Sequence, residues 1–174
     1  MQKLEVGYTE YMKETLNALN SGLLLVSADK EGRPNVMTIG WGSIGVIWGR
    51  PMFVVMVRPS RFTYGLIEQS GEFTVNLPPR ELAETVAFCG SVSGRDCDKF
   101  RERGLTPVAA RSVKSPLIEE CLVHYECRVV HKNDVLPKEL FTDIVSEFYP
   151  SGDFHRVYFG QITSVSASPE ISGK

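Results

Sequence analysis

Residues 52–57 (MFVVMV) are apolar without interruption, fenced by Gly49-Arg50-Pro51 on one side and Arg58-Pro59-Ser60 on the other. A run this short has the length of a strand. With no polar face to offer water it has to be covered on both sides, which places it inside a sheet. The rest of the chain agrees: 19 Val and 8 Ile stand against 14 Leu and 7 Ala, an excess of side chains that lose χ1 freedom in helices and pack well on a pleated surface. The expected fold is mainly β with peripheral helices. A length of 174 residues suits one domain over 1–174, with an N-terminal helical segment in 1–22, the sheet in 23–167 and a fraying tail over 168–174.

Local patterns supply the order of elements. Met12, Leu16 and Leu19 recur at helical spacing and stop at Asn20-Ser21-Gly22, predicting a helix over 11–19. Residues 23–28 and 35–41 read as antiparallel strands around the turn 29–34 (DKEGRP). A helical pattern over 62–69 ends at Ser70-Gly71, a strand follows over 72–77, and Pro78-Pro79 opens a helix reaching about residue 87. Residues 89–95 (CGSVSGR) read as a polar loop, and 96–103 as a charged helix stopped by Gly104. Leu122, His124, Glu126 and Arg128 alternate with Val123, Tyr125, Cys127 and Val129, as in a strand with one buried face, and 156–167 repeats the pattern. Residues 141–152 carry no clear signal.

Charge and cysteine usage narrow the classes of function. Nineteen basic residues are scattered among 21 acidic ones, for a net charge of -2, which gives a phosphate backbone no patch to bind; nucleic acid is not an expected partner. No apolar run approaches the roughly 20 residues of a membrane helix, and the first ten residues show no basic-then-apolar leader, so no membrane partner and a cytoplasmic address are expected. Cys89, Cys97, Cys121 and Cys127 form no CxxC pair, and His124, the histidine nearest to any of them, lies within a strand pattern. Free thiols and no metal are therefore expected.

The sharpest local signal for chemistry follows the apolar run. There a buried strand passes through Arg58-Pro59-Ser60-Arg61 straight into a helix with Thr63 in its first turn. Such a turn aims free N–H groups and the positive end of the helix dipole at a spot rimmed by hydroxyls and a guanidinium, the makings of a phosphate site. The bland alternative makes Ser60 an ordinary N-cap and Arg61 a solvated charge. Three further segments stand out. Residues 35–45 (NVMTIGWGSIG) are a glycine-interrupted strand, either bulged or passing its backbone close to something flat. Residues 72–76 (EFTVN) put Asn76 at a strand end, and 90–95 (GSVSGR) with Asp98-Lys99-Phe100 form a loop rich in donors. Separately, these are a bulge, a turn residue and an exposed loop.

In their order along the chain, NVMTIGW, VRPSRFTYGLI, GEFTVN, CGSVSGRDCDKF and GDFHRVYFGQI resemble the flavin reductase-like family, which includes flavoredoxins and NAD(P)H:flavin oxidoreductases. The similarity runs from about residue 23 to 167. It implies an FMN-binding split β-barrel that works as a homodimer, with NAD(P)H or a small redox protein as electron donor and a flavin, an iron species or a protein as acceptor. The resemblance places the backbone of Met37, Thr38, Ile39, Gly40 and Trp41 along the flavin ring, and Ser60, Arg61 and Thr63 on the FMN phosphate. It places Asn76, Ser91, Ser93 and Gly94 on the flavin or its ribityl chain, and Lys99 near the phosphate. His155, five residues before Gly160, either faces the side where a nicotinamide stacks or merely satisfies backbone groups at the start of the last strand. No GxGxxG occurs, and residues 136–149 hold no dinucleotide-binding motif, so the donor stays open.

Overall fold

A computed structural model describes residues 3–169 and Ile171. Strand β1 (Leu4–Glu5) and helix α1 (Met12–Ala18) lead into two successive hairpins, β2 (Leu23–Ala28) with β3 (Pro34–Ile39) and β4 (Gly42–Ile47) with β5 (Arg50–Val57). Helix α2 (Phe62–Ser70), β6 (Glu72–Leu77), a 3-10 turn (Arg80–Leu82), α3 (Ala83–Ser91) and α4 (Lys99–Arg103) come next. The short pair β7 (Pro107–Val108) and β8 (Leu117–Ile118) precedes β9 (Val123–Asp134), a second 3-10 turn (Pro137–Glu139), α5 (Thr142–Phe148) and β10 (Arg156–Ala167).

The main sheet runs β3-β2-β6-β9-β10-β5-β4, antiparallel at every step, with β1 added on β10. The uninterrupted apolar run thus lies between two neighbours, as its lack of a polar face requires. The two ends of this path, β3 and β4, are joined by Gly40-Trp41 alone. Strands in a flat sheet of this order would end about 29 Å apart, at ~4.8 Å per step. The link reaches only about 10 Å, so the sheet is rolled up. No ladder joins β3 to β4, and the result is a split β-barrel.

Alternation along the strands sorts the core into two layers. Leu23, Leu25, Phe53, Val55, Phe73, Val75, Tyr125, Cys127 and Tyr158 fill the barrel. The residues between them on β2, Leu24 and Val26, pack outward with Val36, Val86, Cys89, Phe100 and Ile118 under α3 and α4. Helix α2 closes on Gly71, whose φ of 66° is cheap only for glycine.

Several expectations need correction. Residues 35–41 are not one strand: the chain leaves β3 at Ile39 and starts β4 at Gly42, so the glycines mark the change of sheet end and not a bulge. Helix α3 continues through Ser91, which removes the start of the anticipated 89–95 loop. Helix α4 begins after Asp98, because the Asp98 carboxylate accepts from the Arg101 N–H and so marks the cap. The first half of β9 is buried on both faces. His124 bonds to Asn76, and the fully enclosed Glu126 carboxylate accepts from the N–H groups of Arg111 and Ser112 and from the Ser112 hydroxyl, so the 105–121 segment covers what the alternation left polar. Residues 141–152 contain α5. Ser168 is buried, with its N–H on the Leu122 carbonyl at 2.7 Å, and Ile171 packs on the barrel core; the remainder of the anticipated tail beyond Pro169 lies outside the described residues. The four cysteines carry free thiols, and burial pushes those of Cys89, Cys121 and Cys127 up.

Candidate functional site

The seam between the two ends of the sheet opens into a cleft with two adjoining halves that share Met37, Thr38 and Arg61. One half, about 180 Å³, is lined by β3 and the link after it (Met37, Thr38, Ile39, Gly40, Trp41), by Met56 and Arg58 at the end of β5, and by His155. The other half, about 330 Å³, is bounded by Asn35, Ser60, Arg61, Phe62, Thr63, Ser93, Gly94, Arg95 and Lys99, with Cys89, Gly90 and Val92 from the end of α3. The first half sets two aromatic rings and the edge of β3 beside Arg58 and Arg61, while the second is cationic and hydroxyl-rich.

Strand β3 is a sheet edge, so its outer row of backbone groups faces the seam without a ladder. One of these groups is taken: the Lys99 ammonium, buried at 4% exposure, donates to the Val36 carbonyl at 3.0 Å and to the Cys89 carbonyl at 2.9 Å. Lys99 thereby ties β3, α3 and α4 together and keeps one N–H with no acceptor among the described residues. Its pKa is lowered, chiefly by burial. The Thr38 hydroxyl turns away, donating to the Val86 carbonyl at 2.5 Å.

At the start of α2 the cap position belongs to Arg61 and not to Ser60, and no side chain caps the helix. Ser60 instead gives its N–H (3.2 Å) and hydroxyl (2.6 Å) to the carboxylate of Asp153. Thr63 is buried and accepts from the Asn35 amide at 2.7 Å. The Arg61 side chain is exposed and has no hydrogen-bond or ion-pair partner among the described residues. Arg95 is fixed beside it, donating to the Ser60 carbonyl at 3.0 Å with its guanidinium 5.4 Å from the Phe62 ring centroid. Gly94 is a close approach: a Cβ there would lie 2.0 Å from Asn35 Oδ1 and 2.7 Å from Phe62 Cδ1. Any side chain at 94 would displace the Asn35 amide that holds Thr63.

Of the residues singled out in the sequence, Met37, Thr38, Ile39, Gly40, Trp41, Ser60, Arg61, Thr63, Ser93, Gly94, Lys99 and His155 come together on this cleft. Two do not. Asn76 is wholly buried on β6, where its amide donates to the Leu24 carbonyl and Thr74 hydroxyl while its oxygen accepts from Ile118 N–H and faces His124 Nδ1. All its hydrogen-bonding capacity is spent inside the barrel wall. Ser91 ends α3 and turns its hydroxyl back onto the carbonyls of Ala87 and Phe88, as an unpaired helical serine does. Sequence reasoning passed over Arg95, which sits in the same donor-rich loop as Gly94, and Asn35, whose role depends on Thr63, distant in sequence. It also passed over Arg58, which read as the full stop of a strand.

The His155 ring is nearly enclosed and stands 4.9 Å from Trp41, which in turn meets Phe148 edge-on at 5.1 Å. Burial, with Arg58 and Arg61 nearby and Asp153 opposing them, lowers its pKa to about 4, so the imidazole is uncharged at neutral pH.

The model of the flavin reductase like domain matches residues 16–174. The chain belongs to that family. Within reach of this flavin reductase-like chain is an uncharacterized protein of Archaeoglobus fulgidus, 35% identical over 130 residues that cover 75% of this chain and 71% of the other. Among solved structures, the flavoredoxin of Desulfovibrio vulgaris (Miyazaki F) superposes with a TM-score of 0.69 at 26% identity, covering 86% of this chain and 70% of that one. A flavoredoxin from Methanosarcina acetivorans gives 0.67, also at 26% identity, over 97% and 77%. The split barrel of the flavin reductase-like family is thus the architecture found here. Among the described residues no helix is long and apolar enough to cross a membrane.

Proposed function

We propose that the protein is an FMN-dependent oxidoreductase that accepts electrons from NAD(P)H and passes them to a flavin, an iron species or a protein acceptor. The observation that carries this reading is one cleft whose hydroxyl-rich half gathers Arg61, Arg95 and Lys99 and whose other half brings Trp41 and His155 to the edge of β3, since FMN is an anion at one end and a flat heteroaromatic ring at the other. Arg61, Arg95, Ser93, the free N–H of Lys99 and the open amides at the start of α2 suit the phosphate. The edge of β3 with Gly40 and Trp41 offers donors and acceptors to a ring lying in the other half. Bound there, FMN supplies the redox chemistry, while the chain orients it and limits access to one face. No side chain of the cleft has to act as acid or base for this.

A second reading has its own support, because two solved structures at 26% identity are flavoredoxins: an FMN electron carrier reduced by a partner protein. Anaerobic stopped-flow mixing separates the two. Rapid bleaching of bound flavin by NADH or NADPH is the expected result. Bleaching by dithionite alone, with neither nicotinamide effective, selects the carrier, and a protein that takes up no FMN sinks both.

We also propose that the working unit is a homodimer. Beyond the cleft, Trp48 at 63% exposure and Val130 at 40% border one hollow at the β4–β5 hairpin, with Trp48 packed near His131 and Phe159. Two exposed apolar side chains on a small barrel, bordering a hollow that Arg50 and His131 also line, favour a second copy as their cover. Sedimentation should give twice the 19.4 kDa chain mass at micromolar concentration; a monomer under those conditions refutes the dimer.

A further inference from the structure

The turn after α5 holds one ring in place. Gly152 and Asp153 both have positive φ, 78° and 56°, and reverse the chain so that Phe154 and His155 come back onto Tyr149. The Tyr149 ring stacks on Phe154 at 4.5 Å and 19° and has the Arg58 guanidinium 4.9 Å from its centroid. Arg58 also donates to the carbonyls of Phe148 at 2.7 Å and Asp153 at 3.2 Å, which ties this turn to the end of β5. From that position the buried Tyr149 hydroxyl meets His155 Nδ1 at 2.7 Å.

The direction of this bond follows from an accounting of protons. Nδ1 is the only acceptor the Tyr149 hydroxyl meets among the described residues, since its other neighbour, the His155 backbone N–H, can only donate to it. Were the imidazole to donate, the phenolic hydrogen would be buried with no acceptor, an expensive arrangement. The phenol therefore donates, Nδ1 accepts, and the neutral ring carries its proton on Nε2. Nε2 has no protein partner among the described residues, yet it is not sealed from solvent, and the ring lines the cleft beside Trp41. His124 is the opposite case: its Nδ1 lies 2.8 Å from the Asn76 carbonyl oxygen, so the proton is on Nδ1, and Nε2 is an unpartnered buried lone pair.

We infer that Tyr149 is a positioning residue that holds His155 as the Nε2–H tautomer, a hydrogen-bond donor aimed into the cleft, and that the molecule entering beside Trp41 is a planar one bearing an acceptor oxygen, such as a carboxamide or another carbonyl compound. The assignment of substrate class rests on the reading of the cleft as an FMN site; the tautomer does not. The groups that bear on the charge of His155 are Arg58, Arg61 and Asp153, all on segments packed around the ring. Together with burial they leave it neutral, so the donor persists through neutral pH.

Long-range 1H–15N correlation spectra of histidine-labelled protein at pH 7 test the tautomer directly, with His124 as the internal reference. The expected spectrum shows Nε2–H for His155 and Nδ1–H for His124. Nδ1–H at His155, or a positively charged ring, overturns the inference. In Tyr149→Phe the His155 signals should shift toward a mixture of tautomers, while those of His124 stay fixed; an unchanged His155 tautomer would show that Tyr149 does not set it. Should that variant fail to fold, the wild-type spectrum alone decides. Nicotinamide titrated into FMN-loaded protein tests the substrate class: its Kd should rise about 2-fold in Tyr149→Phe with FMN affinity unaltered, because a ring split evenly between tautomers presents the Nε2–H donor half the time. An equal Kd rejects the carbonyl assignment. A protein with the expected tautomer that takes up no FMN defeats the flavin reading and leaves the Tyr149–His155 pair standing.

Discussion

Replacing Arg61 with Ala is expected to weaken FMN binding about 10- to 100-fold, the range of a charged hydrogen bond of about 1.5 to 3 kcal/mol, and to leave riboflavin binding nearly unchanged. The reasoning turns on which cations of the cleft are already engaged. Arg58 spends its guanidinium on the turn after α5, Arg95 is anchored to Ser60, and Lys99 has given two of its three N–H groups to carbonyls. Arg61 borders both halves of the cleft and, among the described residues, has no partner, so a phosphate gains its contact without breaking another. Loss of that contact removes a charge, while Met37 to Trp41, Met56, Arg58 and His155 still line the half assigned to the ring. Titrations of protein fluorescence with the two ligands measure the difference. Equal weakening of FMN and riboflavin would put Arg61 beside the ring and the phosphate somewhere else.

The largest effect on stability is expected at Gly160. It follows an irregularity in the β9–β10 ladder, and a Cβ at this position would stand 2.4 Å from Phe73 Cζ and 2.9 Å from Cys127 Cβ. Phe73 and Cys127 are both wholly buried inside the barrel, so neither has room to retreat. Gly160→Ala should therefore cost about 2 to 3 kcal/mol, as overpacked cores do, and lower Tm by ~4–12 °C for a chain of this size. Phe73→Leu in the same chain should restore part of the loss by yielding the space. A Gly160→Ala protein that melts like the parent would show that the sheet shifts there at no cost.

How far the sequence could be read depended on how local the cause was. The strands over 23–28, 72–77 and 156–167 were legible because their apolar periodicity and turn residues lie within the strands themselves. Strand β4 was not, since its glycines look the same whether a strand bulges or a sheet ends; only the pairing of Gly42–Ile47 with β5 decides between them. Much of the candidate site came through on short motifs whose residues sit side by side, as in Arg61 with Thr63 or Ser93 with Gly94. Asn76 was misplaced because its partners, Leu24, Ile118 and His124, are brought to it by the fold from far along the chain. Tyr149 went unnoticed for a related reason. Its segment has little periodicity, and its role is created by a reversal at Gly152-Asp153 that no pattern in the chain announces.

The link at Gly40-Trp41 fastens the two margins of the sheet at one point and leaves the rest of the seam without rungs. A guest lying along β3 can therefore behave as a provisional extra strand, taking up the amides and carbonyls of that row that Lys99 leaves free without first severing any inter-strand bond. Spreading of the seam costs the packing of a few side chains and no ladder, so the width of the opening is a soft coordinate while the barrel wall behind it remains stiff. A flat guest bound there should slow hydrogen exchange on whichever β3 amides it covers.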